Sequence, residues 1–386
     1  MTTNLETDVF IVGGGPAGLA AAIAVRRQGL RCIVADWASP PIDKACGEGL
    51  MPDSLDVLHG LGFSLADYET GYFRGIKFVG QQGSAAADFP RGSGRGIRRV
   101  LLHQAFISHA AACGVEMLWR ARVSLVPSSG SDGISLQVNG QPVRCRLIIG
   151  ADGQNSKVRH WAGLEQGHTS AQRIGLRQHF RIKPWSEYVE IYWGEQGQAY
   201  VTPIGREEVC VALISRRRFN SFEAGLAQFP ELSEHLQGTD LRDDDLQFAA
   251  RTTSVRGALT ISRRLKSVVR GNVALMGEAS GSVDAITGEG LAMAFRQALA
   301  LAPAIAAGDL RSYENAHREI SSLPGFMARS MLLLDDKAWL RRRTLRAFAR
   351  EPRLFQRLLA VHVGDLNLSS LGARGLADLG WHLLTA

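Results

Sequence analysis

Residues 8–36 read DVFIVGGGPAGLAAAIAVRRQGLRCIVAD, and this stretch decides the fold. An apolar run predicts a strand. It breaks at Gly13-x-Gly15-x-x-Gly18, an Ala-rich helix follows, and CIVAD predicts a second strand ending on an acid, Asp36. Each glycine has its own physical task. The first permits a tight turn, the second lets a pyrophosphate approach the backbone, and the third lets helix and strand pack closely. The helix start then offers unpaired N–H groups and a positive dipole end to phosphates. Asp36 stands where a carboxylate can accept bonds from both hydroxyls of a ribose. A glycine turn alone is weak evidence, but strand before, helix after and an acid at the right distance point to a dinucleotide site at Gly13, Gly15, Ala17, Gly18 and Asp36.

Outward from this unit, 386 residues suffice for a large core or for two to three domains. Apolar residues make up 45% and charged residues 21%, an ordinary globular balance. The five cysteines, Cys32, Cys46, Cys113, Cys145 and Cys210, form no CxxC pair. A reducing compartment without disulfides or structural zinc is therefore expected. Ten histidines show no HxxxH or HExxH spacing, so no metal is expected. The acidic start MTTNLETDVF reads as no secretory signal, and no run of about 18 apolar residues predicts a membrane span. The expected location is cytoplasmic. A net charge of +7 is compatible with anionic cofactors or membrane surfaces without requiring either.

Two later segments choose between dinucleotides. LIIGADGQNSKVR at 147–159 is a strand running into Asp152-Gly153. GNVALMGEASGSVDAITGEGLAMAFRQA at 271–298 is another strand, then Glu278, then a turn with Gly281, Gly288 and Gly290 opening a second Ala-rich helix. Glu278 can accept a bond from a ribityl hydroxyl, and the N–H groups near Gly290 and Leu291 can face an electron-rich ring edge.

With these anchors the chain resembles the flavoprotein oxidoreductases of the p-hydroxybenzoate hydroxylase type, and within them the geranylgeranyl reductases. The likeness covers about residues 8–300 and rests on GGGPAG at 13–18, KACGEGL at 44–50, ADGQNSKVR at 151–159 and GEASGSVDAITGEGL at 277–291. It implies an α/β fold: a Rossmann-like FAD-binding domain, an inserted antiparallel β-sheet substrate domain and a helical C-terminal region. The expected boundaries are 1–165 with 255–305 for the FAD domain, including a small substrate-side insertion near 65–95. Residues 166–254 form the sheet domain and 306–386 the helical region.

The resemblance also implies roles. FAD is the expected cofactor, with NAD(P)H or another electron donor. Arg99, on a helix leading to a glycine and a strand, is placed against the FAD phosphates or ribityl chain, with Arg98 the neighbouring register. Val123 is placed on a strand whose backbone touches the adenine. Cys46, Gly47 and Gly49 are placed against the flavin, where glycines let the backbone approach. Lys44 can neutralise a phosphate. Cys46 is either a polarisable wall or weak donor that tunes flavin and substrate, or a small buried hydrophobe. Asp36 and Glu278 depart from the more usual Glu and Asp, keeping each carboxylate but moving it by one methylene.

Alternating text through 165–260 predicts strands. Reductases of this group carry a Trp-containing strand ending in Phe-Pro. Here Tyr200 stands for the Trp and Thr202 for the Phe, ahead of Pro203. Tyr and Thr can bond a polar group that Trp and Phe would not. Tyr192, Tyr200, Thr202 and Pro203 are candidate substrate contacts, with Tyr200 and Cys46 the candidate catalytic groups. Glu190, Tyr192 and Trp193 lie on an adjacent strand whose facing alternation cannot choose. From about 300 the chain reads as helical, ending in GLADLGWHLL, and Arg341, Arg342, Arg343, Arg346 and Arg350 flank Leu340, Leu345 and Phe348. That pattern fits either a solvated face or peripheral contact with anionic lipid. No recognition motif accompanies the arginines, so nucleic acid is not an expected partner.

The leading expectation is an FAD enzyme acting on a hydrophobic small molecule, reducing a C=C bond of an isoprenoid-, polyketide- or lipid-like substrate. The alternatives are a monooxygenase acting on an aromatic or polyketide compound, and a non-catalytic flavin-binding redox sensor. Oligomeric state is not legible.

Overall fold

In the computed structural model, residues 5–81, 83–126, 134–169, 172–237 and 255–367 are described. Strand Leu5–Val12 runs parallel to Cys32–Asp36 on one side and to Gln141–Gly150 on the other. Glu116–Trp119 and Val273–Leu275 extend the parallel array, and Val269–Arg270, Ile134–Val138 and Val123–Val126 complete an eight-stranded sheet through antiparallel pairs. Phe10, Ile11, Val34, Ala35, Ile148 and Ile149 are all buried. Such unbroken apolar strands belong to a sheet covered on both faces.

The helix Pro16–Arg27 begins with proline at its first turn, where a missing N–H costs nothing. Its run of alanines packs against helices Arg99–Ala112 and Gly290–Ala306. The close approach has a visible cause at the first glycine, whose φ of 112° lies outside the range of ordinary side chains. A Cβ at Gly18 would stand 1.8 Å from the Gly13 carbonyl oxygen.

A seven-stranded sheet forms the second layer, in the order Arg256–Thr260, Arg173–Phe180, Glu208–Ser215, Gly197–Gly205, Tyr188–Trp193, Gly75–Gly80, Gly83–Asp88. All its pairs are antiparallel except Tyr188–Trp193 with Gly75–Gly80. Three of its strands thus come from outside the 166–254 window read from the sequence. Backbone pairing across the chain recruits them, and no local pattern announces it.

Alternation along these strands separates two apolar faces. Phe78, Val189, Ile191, Trp193, Tyr200, Ala212 and Ile214 turn one way, and Val79, Tyr192, Ala199, Val201, Val211 and Leu213 the other. The second face is capped by Phe222, Phe229 and Leu232 from two short helices. The first meets the C-terminal helices Leu310–Asp336, Ala338–Arg350 and Pro352–His362. Phe78, Phe348 and Phe355 stack there, with Phe348 and Phe355 centroids 4.7 Å apart. The sequence motif GLADLGWHLL lies outside the described residues. Among the described residues no helix is long and apolar enough to cross a membrane.

Candidate active site

The carboxyl ends of the parallel strands open on a cavity of 1530 Å³ that continues between the second sheet and the C-terminal helices. Ligands of open α/β sheets bind at this end, because loops and helix N-termini converge there. Gly13, Gly15, Ala17, Asp36, Lys44, Cys46, Gly47, Gly49, Arg99, Val123, Asp152, Gly153, Glu278, Gly288, Gly290 and Leu291 all line it. Gly18 does not; it serves the packing of the helix on the turn.

Several of these side chains have partners that the sequence did not show. Asp36 accepts from the Gly14 N–H at 2.6 Å through Oδ2 and from the Ala38 N–H at 2.8 Å through Oδ1, so it shapes the turn it faces. Asp152 supports the start of the helix Lys157–Trp161, whose N-cap is Ser156, accepting from the Lys157 N–H at 2.7 Å and the Ser156 hydroxyl at 2.5 Å. Lys44 and Glu278 form an ion pair with each other across the cavity. Arg98 is drawn to Glu208 of the second sheet, its Nε donating at 2.9 Å, while Arg99 turns to the cavity. The Arg99 Nε is buried without a hydrogen-bond partner.

The candidate substrate residues divide. Tyr200 and Thr202 line the cavity. The Tyr200 hydroxyl donates to the Ile286 carbonyl at 2.9 Å, and burial pushes the phenol far above its ordinary range. It therefore works as a strut between the second sheet and the 277–291 segment. Tyr192 is on the opposite face of the sheet, its hydroxyl donating to Glu190 at 2.6 Å. A one-residue step along a strand reverses the face, which excludes Tyr192 from the cavity. Pro203 lies outside the lining too; its carbonyl oxygen fills the space where Cβ atoms at Gly71 and Gly96 would stand.

Cys46 lines the cavity half-buried and accepts from the Glu48 N–H at 3.4 Å. Beside it are groups that sequence reasoning missed. Glu48 lies in the quoted KACGEGL, with φ 59°, and is buried. It accepts from His179 Nε2 at 2.7 Å and from the Arg99 N–H at 2.9 Å. Arg177 lies on the same face of its strand as His179 and donates to Nδ1 at 3.2 Å, so Nε2 holds the proton given to Glu48. Burial opposes ionisation of Glu48, but the His179 hydrogen bond and the charge of Arg177 outweigh it and hold the carboxyl below its ordinary value. The R-x-H pair at period two was the available signal. His103 is the other omission: it accepts from the Ile42 N–H at 3.0 Å and donates to the Gly14 carbonyl at 2.7 Å, clamping the glycine turn.

These residues fit FAD. A Cβ at Gly15, Gly47 or Gly290 would meet nothing within 4 Å, so backbone faces the cavity unobstructed. Arg99 brings a cation to the lining of the same space, its buried Nε unpartnered, and the Pro16–Arg27 helix points its N-terminus there. The chain belongs to the FAD binding domain family, which matches residues 6–309. It is an FAD-dependent oxidoreductase. It is 31% identical over 312 residues to a menaquinone reductase of Mycobacterium tuberculosis, covering 75% of this chain and 74% of that one. It is 26% identical over 302 residues to a digeranylgeranylglycerophospholipid reductase of Methanosarcina acetivorans, covering 74% and 71%. Its fold matches a flavoprotein/dehydrogenase of Cytophaga hutchinsonii with a TM-score of 0.82 at 17% identity, over 98% of this chain and 99% of that one.

Proposed function

We propose that this protein saturates a carbon–carbon double bond in a long, apolar, isoprenoid-type substrate. The observation that carries this reading is the second arm of the cavity. Ile76, Phe78, Val189, Ile191, Ala212 and Ile214 form its sheet wall, and Met327, Met331, Leu334, Phe348 and Phe355 its helical wall. Such a slot gains roughly 0.8 kcal/mol for each methylene it buries. The menaquinone and digeranylgeranylglycerophospholipid reductases support the same substrate chemistry by likeness.

When bound and reduced, FAD would supply the hydride, with a donor of the NAD(P)H or ferredoxin class as the source of its electrons. The chain's own residues do the rest. In our reading Gly13, Gly15, Ala17 and Arg99 hold the phosphates, and Asp36 and Val123 face the adenosine end. Lys44, Asp152, Gly153 and Glu278 flank the ribityl region, while Cys46, Gly47, Gly49, Gly288, Gly290 and Leu291 frame the ring. Thr202 and the apolar arm orient the substrate and exclude water. The proposed division is an FAD domain and a sheet domain that recruits 75–88 and 256–260, closed by the C-terminal helices. Phe326 and Leu333 line the cavity yet are 41% and 49% exposed, and Trp339 nearby is 56% exposed. We place peripheral lipid contact at this mouth.

The test is anaerobic turnover of reduced holoprotein with an isoprenoid quinone or a polyprenyl lipid, read by product mass. A gain of two hydrogens supports the reading. Gain of one oxygen under air, or no turnover with any apolar chain, refutes it.

A further inference from the structure

Behind the wall of the cavity a second carboxylate–imidazole pair is built across three elements. Glu289 lies in the ITGEGL turn that opens helix Gly290–Ala306, and it is buried at 1% exposure. His362 comes from the end of the last described helix, and its ring lines the cavity. His362 Nδ1 stands 3.7 Å from Glu289 Oε2, and neither atom has a hydrogen-bond partner. Asp53, from helix Pro52–Gly60, faces the pair with an ion pair to Arg296 of helix Gly290–Ala306. Arg296 is thus shared between Asp53 and Glu289, and its charge opposes the burial of Glu289 without outweighing it. Buried polar atoms are normally paired, and Asp53 Oδ1 and Thr287 Oγ1 are unpartnered as well, so the cluster calls for an explanation.

We propose that Glu289 and His362 form a proton-transfer couple that serves the cavity, with Glu289 storing a proton and His362 passing one to the bound substrate. This rests on the reductive reading above, since saturating a double bond takes a proton as well as a hydride. The balance is simple. A new C–H bond forms at the second carbon of the former double bond as an N–H bond of His362 breaks. Glu289 gives its proton to the ring and is left as a carboxylate near Arg296, and solvent restores it after product leaves. The resting states suit the roles. Burial pushes the Glu289 carboxyl up to about 8, against the charge of Arg296, so the acid keeps its proton at neutral pH. Burial holds the His362 ring below its ordinary value, so it is neutral and able to relay. The 3.7 Å gap closes to hydrogen-bond length with a small rotation of either side chain, as catalytic contacts often do on substrate binding.

The experiment compares wild type, Glu289→Gln and His362→Gln, each checked for bound FAD and melting temperature. Positioned acid–base groups contribute about 10²- to 10⁴-fold, so turnover falls by that factor in both variants while FAD stays bound. Wild-type turnover declines as pH rises through about 8, and Glu289→Gln lacks that limb. Independently of turnover, infrared difference spectra of wild type without substrate show a protonated carboxyl band at neutral pH that Glu289→Gln removes. If that band is absent, or both variants keep the wild-type rate and pH profile, the couple is refuted. If wild type itself adds no hydrogen to any apolar substrate while the band is present, it is the reductive reading that fails.

Discussion

Two Glu–His pairs stand at one cavity, each with one member on its lining, Glu48 in the first and His362 in the second, and they differ in almost every property that matters. Glu48 and His179 are 2.7 Å apart, and Arg177 and the Arg99 N–H complete the carboxylate's partners. Glu289 and His362 are 3.7 Å apart with their facing atoms unpaired. Both glutamates are buried, yet one is held below its ordinary value and the other pushed up to about 8. Desolvation alone raises a carboxyl, and only enough donors reverse it. Burial therefore says nothing about protonation until the donors are counted. The first pair is a fixed anion that props up the loop around Cys46. The second retains a proton it can release.

The sharpest way to break this contrast is Glu48→Ala. It strands Arg177 and His179 in a buried site, and removal of one member of such a network costs roughly 3–5 kcal/mol. Chemical denaturation checks this, and a loss under about 1 kcal/mol would show that the network is not what secures the loop. Next in size is Arg99→Ala, which removes charge-assisted bonds worth about 1.5–3 kcal/mol each. FAD affinity then weakens about 10- to 100-fold in a titration of cofactor-free protein, with the fold unchanged by circular dichroism.

The two glutamates also predict opposite pH dependences of stability. Glu48 has a depressed folded value, so its contribution is present above the unfolded value near 4.5 and is lost as pH falls through the folded one. Glu289 has a raised folded value, so its contribution is full below 4.5 and is lost as pH rises through about 8. Melting temperatures of Glu289→Gln across pH 4–9 should accordingly decline less than those of wild type over the upper part of that range. Parallel curves would show that Glu289 ionises in the fold as it does in the unfolded chain.

The smallest effects separate the two tyrosines. Tyr200→Phe leaves the buried Ile286 carbonyl without its donor and costs about 1–3 kcal/mol, while turnover per folded molecule stays within about threefold, short of the loss expected for a catalytic acid. Tyr192→Phe gives up one bond to Glu190, which keeps Lys77 at 2.9 Å and Trp185 at 2.9 Å. KM for an apolar substrate should not move, because the side chain is on the far face of the sheet. A changed KM would place that face in the binding path.

What the sequence by itself determined is the flavin-binding half. Gly13-x-Gly15-x-x-Gly18 and Asp36 meet requirements of a turn, a close approach and a strand end, and each requirement is met within about 30 residues of chain. Local chemistry of that sort is written locally. The tertiary structure decided the rest. Alternation in Tyr188–Trp193 told which residues share a face, but only packing against helices Ala338–Arg350 and Pro352–His362 made the Ile191 face the cavity and the Tyr192 face the back. Lys44 and Glu278 read as two separate cavity residues in the sequence, and only the fold shows that they pair with each other, 234 positions apart in the chain. Glu48 stood unnoticed inside a motif valued for its cysteine and glycines, because His179 reaches it from 131 residues away. Protonation and facing are properties of neighbours, and a chain read in order does not contain its neighbours until it folds.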